Sequence, residues 1–349
     1  MKPFISVYIP VYNGEKHIRE CLDSVLGQTF RDFEVVICDD RSSDGTVDII
    51  KEYARRDPRI IFSQNEVNFG CVPNHKRCIS YTRGEWIKPI NHDDLLSPTC
   101  LEKMASKTSR NIPIMACRRD FILAEDVSAT IRAALLKFTH VDDFFPNKTE
   151  ISAQEISCAA IDHFSENFIG EPVVMMIKRD ALNRFDSYNP NMSIIADLEY
   201  WLRISSNMGI VYLPEVLASF RIHNDSITAR LINNKQHLRS RFDQLMLLHE
   251  FAFSPYYAHL RKVVFARNPG IDLIDMLSQR LRKAHKEFLS GSKVGVKDNQ
   301  REWDALMATY PMLGELFRNC NIFRKIGSIH KKDLKQVILN RIRNKRRIK

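Results

Sequence analysis

No apolar stretch in this 349-residue chain approaches the roughly 20 residues that a bilayer-spanning helix needs. The N-terminus enters a strand-like pattern at once, without a signal peptide's long apolar region, so the chain is expected to stay in the cytoplasm. Short paired cysteine spacings are also missing. The eight cysteines, at 21, 38, 71, 78, 100, 117, 158 and 320, are scattered, several inside apolar runs. They read as reduced core residues, which argues against a disulfide framework or a cysteine-held zinc. A glycine-rich phosphate loop is absent after the first strand pattern, where Pro10 to Glu15 holds one Gly. That weakens the case for a nucleotidyltransferase. Acidic residues thin out at the C-terminus: residues 331–349 carry nine Lys or Arg and one Asp, a net +8 of the whole chain's +10. Leu334, Ile338 and Ile342 recur there at i, i+4, i+8, so the tail reads either as a basic amphipathic helix on an anionic membrane surface or as a solvated terminus. It lacks interleaved aromatics, and nucleic acid is not expected as a partner.

A hydrophobic content of 44% suits a globular protein with a sizeable core. The run Phe4 to Pro10 reads as a strand, followed by Val11-Tyr12-Asn13-Gly14 and a helix with Ile18, Leu22, Val25 and Leu26 on one face. Phe33 to Cys38 is a second strand, ending in Asp39-Asp40; the loop Arg41-Ser42-Ser43-Asp44-Gly45 leads to a helix with Val47, Ile50 and Tyr53. Arg59 to Phe62 gives way to Asn68-Phe69-Gly70 and a third helix, and Gly84-Glu85 turns the chain into the strand Trp86 to Ile90. Alternating strands and helices predict a mostly parallel sheet, with ligands outside the carboxyl ends of its strands. The polar loops at 10–15, 39–44 and 91–94 would then meet on one rim. Asn91-His92-Asp93-Asp94 puts two carboxylates at such an end. They suit a divalent cation whose remaining shell comes from substrate phosphates. They also suit a helix cap, because Ser97-Pro98 reads as a helix start.

Farther on, Ala196-Asp197-Leu198-Glu199-Tyr200-Trp201-Leu202-Arg203 predicts a buried helix with Asp197 near its N-terminus, where an acid either caps the helix or does chemistry. Gly209 to Pro214 and Glu215 to His223 read as two strands, the second ending in the polar cluster His223-Asn224-Asp225-Ser226. Beyond about 224 the pattern becomes nearly all helix. The expected organisation is a catalytic α/β domain over 1–226, a helical region over 227–330 with a break near Gly291 to Val296, and the basic tail.

The ordered set Val7 to Asn13, Asp39 to Thr46, Asn68-Phe69-Gly70, Gly84 to Ile87, Asn91 to Asp94, Ala196 to Arg203 and Arg221 to Ser226 resembles the inverting glycosyltransferases of family 2, which have the GT-A nucleotide-diphospho-sugar fold. The resemblance spans about residues 4–226. It implies that Pro10, Tyr12 and Asn13 line a nucleotide pocket with Glu15, Asp40 and Ser42 nearby, that Asp39 meets the base, and that His92 lies near the ribose. It implies Asn74, Lys76 and Arg77 as candidates for the diphosphate. Asn91 and Asp93 would be donor contacts, with Asp93, Asp94 and His223 holding Mn²⁺ or Mg²⁺ and Asp197 acting as general base. The donor it suggests is a nucleotide sugar, UDP-linked by preference. The acceptor would be a glycan or lipid-linked glycan of a surface polysaccharide, met at the inner face of the membrane. Asn91 stands where the family usually has Asp, and Arg41 where it usually has Gly. A non-catalytic nucleotide-sugar-binding or scaffolding protein of the same fold is the alternative from another class.

Overall fold

The computed structural model describes residues 2–108, 111–125, 127–128, 131–132, 139–164, 166–226, 229, 237–290 and 296–326. The basic tail and residues 291–295 lie outside them. Among the described residues nine strands form one sheet: β1 Ile5–Val11, β2 Phe33–Asp39, β3 Ile60–Gln64, β4 Trp86–Pro89, β5 Leu95–Leu96, β6 Ile114–Leu123, β7 Glu150–Ile151, β8 Met175–Lys178 and β9 Ile210–Ile222. Their order is β3-β2-β1-β4-β8-β6-β9-β5, with β7 also on β9. The first four are parallel, as the alternating pattern predicts. β8 runs antiparallel to both β4 and β6, so the sheet as a whole is mixed.

Every residue of β1, β2 and β4 is buried. Helices cover both faces of such strands, which explains why they read as unbroken apolar runs without alternation. The helix Ile18–Leu26 buries Ile18, Cys21, Leu22 and Val25, the i, i+3, i+4, i+7 stripe of an amphipathic helix. Lys88 is one of several polar or charged side chains in the core, as Ser6 and Glu34 are on β1 and β2. Fully buried in β4, it donates from Nζ to the carbonyl of Val173, and burial pushes its pKa down. That bond ties the turn Pro172–Val174 to the sheet.

The two strands expected over 209–223 are one. β9 pairs with β6 throughout, but five steps on β9, from Leu213 to Ala218, face two on β6, from Cys117 to Arg119. Pro214 and Glu215 have no partners on β6 and fall in this bulge. Proline cannot donate to a ladder and is tolerated at such a place. The interruption visible in the sequence is therefore a kink in a continuous strand.

The unit that contains the sheet runs to Ile271. It takes in the helices His237–Phe253 and Ala258–Arg267, which the sequence pattern groups with the region after 226. Residues from Asp272 form a second unit, with helices Leu273–Ser290, Val296–Thr309 and Pro311–Ile326 around the aromatic cluster of His285, Phe288, Trp303 and Phe317. Among the described residues, no helix is long and apolar enough to cross a membrane.

Gly84 shows how tightly β4 is set against β1. Its N–H donates to Ser6 Oγ at 2.6 Å, and a Cβ there would lie 2.5 Å from the Ser6 backbone nitrogen. Backbone cannot yield as a side-chain tip can. Gly84→Ala should lower stability by about 1–3 kcal/mol, the usual cost of overpacking, read as a lower urea midpoint with an unchanged m-value.

Candidate active site

The carboxyl ends of β1, β2 and β4 open on one cavity of about 440 Å³. Its wall includes Pro10 to Asn13, Asp40, Asn68, Gly70 to Val72, Asn74, Asn91 to Asp93, Ser193, Ile194 and Asp197, together with the end of β9 and the residues beyond it. The rim expected from strand polarity is present.

The first two loops are laced together. Asn13, in the left-handed region at φ 49°, donates from its backbone to Ser42 Oγ at 2.9 Å and accepts from the Ser43 N–H at its own Oδ1. Glu15 accepts from the Gly45 N–H and does not line the cavity, so it serves the loop. Tyr12 is half exposed on the rim.

The two acid pairs divide their work. Asp40 lines the cavity and accepts from the backbone N–H groups of Phe69 and Gly70 and from Asn65 Nδ2, so it shapes the 68–70 turn, where Gly70 has φ 90°. Asp39 lies behind the lining. Its Oδ2 accepts from Ser42 N and Gln64 Nε2, while Oδ1 is buried without a partner among the described residues. Asn74 lines the cavity and donates to the carbonyl of Cys38, whereas Arg77 stands off the cavity over the ring of Tyr81.

At the second pair, Asp93 faces the cavity and Asp94 does not. Asp94 is fully buried and accepts from the Arg221 backbone N–H at 2.9 Å; burial and the charge on Asp93 push its pKa well up. Arg221 Nε donates to the Asp93 carbonyl, and His223 Nε2 meets Asp93 Oδ2 at 3.0 Å. The His17 ring packs 4.9 Å from that of His223 and helps to fix it. Burial disfavours charge on Asp93, but the hydrogen bond from His223 and the nearby imidazoles outweigh it, so its pKa falls below the usual carboxylate range.

An ionised carboxylate beside an imidazole suits a divalent cation that takes its other ligands from water and phosphate oxygens. Among the described residues no group of three or more His, Cys, Asp or Glu is arranged to hold an ion; Asp93 and His223 form a pair.

Asp197 stands in the first turn of the helix Ala196–Met208, where its Oδ1 accepts from the Leu198 N–H. Burial pushes its pKa up to about 7, with the nearby charge of Glu171 adding to the rise. Glu171 is itself in the cavity wall, buried and paired with Arg119 at 2.5 Å.

Two lining residues that sequence reasoning missed are His75 and Tyr188. Tyr8 OH lies 3.2 Å from His75 Nδ1 and 3.2 Å from Tyr188 OH. Both hydroxyl protons are used when Tyr188 donates to Tyr8 and Tyr8 donates to His75 Nδ1. In that arrangement the imidazole proton sits on Nε2, which has no partner among the described residues, on a residue that lines the cavity. Burial pushes the His75 pKa down to about 4. In ¹⁵N-histidine NMR, His75 should show the neutral Nε2–H tautomer from pH 8 down to about 5. Titration near 6.5, the ordinary value, would contradict this network.

Residues 6–162 match the family described as Glycosyl transferase family 2. The chain is 27% identical to the chondroitin synthase of Escherichia coli over 258 residues, covering 72% of this chain and 34% of that one, about a third of its length. Its backbone is similar to S. aureus TarS 1–349 in complex with UDP-GlcNAc, with TM-score 0.54, 16% identity, and coverage of 91% of this chain and 92% of that one. It is also similar to the mannosyltransferase PcManGT of Pyrobaculum calidifontis in complex with GDP-Man and Mn²⁺, with TM-score 0.54, 14% identity, and coverage of 91% and 86%. At such identities the likeness is one of fold.

Proposed function

With residues 6–162 belonging to glycosyl transferase family 2, we propose that the cavity transfers a sugar, with inversion, from a nucleoside-diphospho-sugar to a hydroxyl of a growing glycan. The observation that carries this reading is Asp197, a carboxyl raised to about 7 in the wall of the cavity that also holds Asp93 and His223. A base with that pKa is available at neutral pH and still basic enough to take a proton.

In this reading Tyr12 stacks on the base at the rim, and the diphosphate lies toward Asp93. Asp93 and His223 would hold a divalent cation, whose positive charge, when it is bound, would offset the charge of the departing diphosphate. The acceptor hydroxyl approaches from the Asp197 side. As its oxygen forms a bond to the anomeric carbon, the bond to the diphosphate oxygen breaks on the opposite face, and the hydroxyl proton passes to an Asp197 carboxylate oxygen. Single displacement inverts the anomeric centre. Asn91 leaves the cation site one carboxylate poorer than the family's usual motif, so weaker metal affinity belongs to this proposal. Asp94 is left out of the ion's holders in this reading because it lies behind the cavity lining, with Oδ1 accepting from the Arg221 backbone and Oδ2 buried without a partner among the described residues.

UDP is the preferred nucleotide, in line with the UDP-GlcNAc complex of TarS, although the GDP-Man complex of PcManGT has a similar fold. The chondroitin synthase relative supports a polysaccharide product. The cationic segment 331–349 supports a lipid-linked acceptor presented at the cytoplasmic face of a membrane.

Transfer should be assayed with UDP-, GDP- and dTDP-sugars, with and without Mn²⁺. Asp197→Asn should lower kcat by about 10² to 10⁴, the usual worth of a placed base, while keeping the thermal shift that the nucleoside diphosphate gives. Wild-type kcat should rise with pH and level off above about 7, as Asp197 loses its proton. The stability effect runs the other way. A carboxyl whose folded pKa is raised favours folding fully below its unfolded value near 4 and loses that contribution as pH climbs through about 7. Asp197→Asn should therefore raise Tm at pH 8 more than at pH 4. Asp93→Ala should weaken the Mn²⁺-dependent part of nucleotide binding. Undiminished transfer in both variants would overturn the mechanism.

A further inference from the structure

Asp243 is a fully buried carboxylate outside the mechanism just described, on the helix His237–Phe253. Its Oδ2 accepts from three consecutive backbone N–H groups, those of Ser193 at 3.1 Å, Ile194 at 2.6 Å and Ile195 at 3.2 Å. These groups immediately precede the helix that carries Asp197. Ile195, the residue at its N-terminal cap, makes no side-chain capping bond. The N–H groups at and before the start of this helix are thus collected by an acid from another element about fifty positions away.

We propose that Asp243 is a positioning residue for Asp197: its carboxylate holds the 193–195 segment, and with it the wall of the cavity on the acceptor side. Three donors on one charged oxygen form a strong and directional anchor. Ser193, Ile194 and Asp197 all line the cavity, so any shift of the segment is delivered to the acceptor hydroxyl and its base. The Asp243 charge also acts on Asp197 directly and adds to the rise in its pKa, as that of Glu171 does. No part of the nucleotide side, at Tyr12, Asp40 or Asp93, is among the groups that its Oδ2 holds.

The inference rests on the glycosyl-transfer reading for its effect on rate, but not for its effect on the segment. Two variants separate these. Asp243→Asn keeps one acceptor oxygen without the charge, and Asp243→Ala removes the acceptor. In hydrogen–deuterium exchange of the full-length protein, the 193–195 amides should exchange about tenfold faster in Asp243→Asn and faster still in Asp243→Ala, as expected when charged hydrogen bonds are weakened and then lost. Amides in β1 and β2 should be unchanged. Transfer assays should show kcat down by up to about 10²-fold, the scale of misplacing a reacting group by 1 Å. The affinity for UDP and Mn²⁺ should stay within about threefold, and the pH at which kcat levels off should move to lower values. Unchanged exchange at 193–195 would overturn the proposal. So would a parallel loss of kcat and nucleotide affinity with an unmoved pH profile, the mark of general destabilisation. If the wild type transfers no sugar while the exchange result holds, the anchor stands and the catalytic reading fails.

Discussion

Arg221 is the point on which the site's geometry depends. Its backbone N–H is held by the Asp94 carboxylate and its Nε by the Asp93 carbonyl, while Nη2 reaches Glu20 on the first helix. The loop leaving β4 is thereby fastened to the end of β9, although they are separated by more than 120 positions. Two residues beyond, His223 meets Asp93. A rim that gathers several carboxylates needs such bracing. The groups that repel one another must be held by neighbours that cannot relax away.

The same economy appears at the other wall. The helix Ala196–Met208 is anchored at its start by Asp243 and within its length by the buried pair Glu199 and Arg203, with Tyr257 donating to Glu199 and Arg203 donating to the Phe185 carbonyl. Buried charges are costly unless paired and hydrogen bonded, and removing one partner leaves the other stranded. Here the pairing fixes a helix whose first turn presents Asp197 to the cavity. Both anchors come in part from residues beyond 226, so the two helices that follow β9 are structurally continuous with the site.

Much of this could be read from the sequence because it is local. Strand, loop and helix follow one another within some thirty residues, and strand polarity alone brings 10–15, 39–44 and 91–94 to one rim. What could not be read depends on distance or on side-chain direction. Adjacent acids look alike in sequence, yet Asp40 and Asp93 face the cavity while Asp39 and Asp94 turn into the protein. His75 gave no signal because its partner Tyr8 is 67 positions away, and Tyr8's other partner, Tyr188, is 180 away. Asp243 reads as an ordinary polar residue on a helix, since what it binds is backbone. The break at Pro214 suggests two strands because proline and a following glutamate mark a bulge and a strand boundary in the same way.

That bulge has a counting property. Along a strand, side chains alternate between the faces of the sheet, so an offset of one residue turns every later side chain to the opposite face. Five steps of β9 against two of β6 make an odd difference, and Arg221 and His223 lie downstream of it. Pro214 and Glu215 supply two of the three unmatched residues and Leu217 the third, so the odd count that sets on which face of the sheet the partners of Asp93 and Asp94 emerge is completed at Leu217. A segment with no side chain in the cavity acts as a switch of sidedness for the whole β9 rim, so the chain has less freedom to change length there than its exposed, irregular appearance suggests.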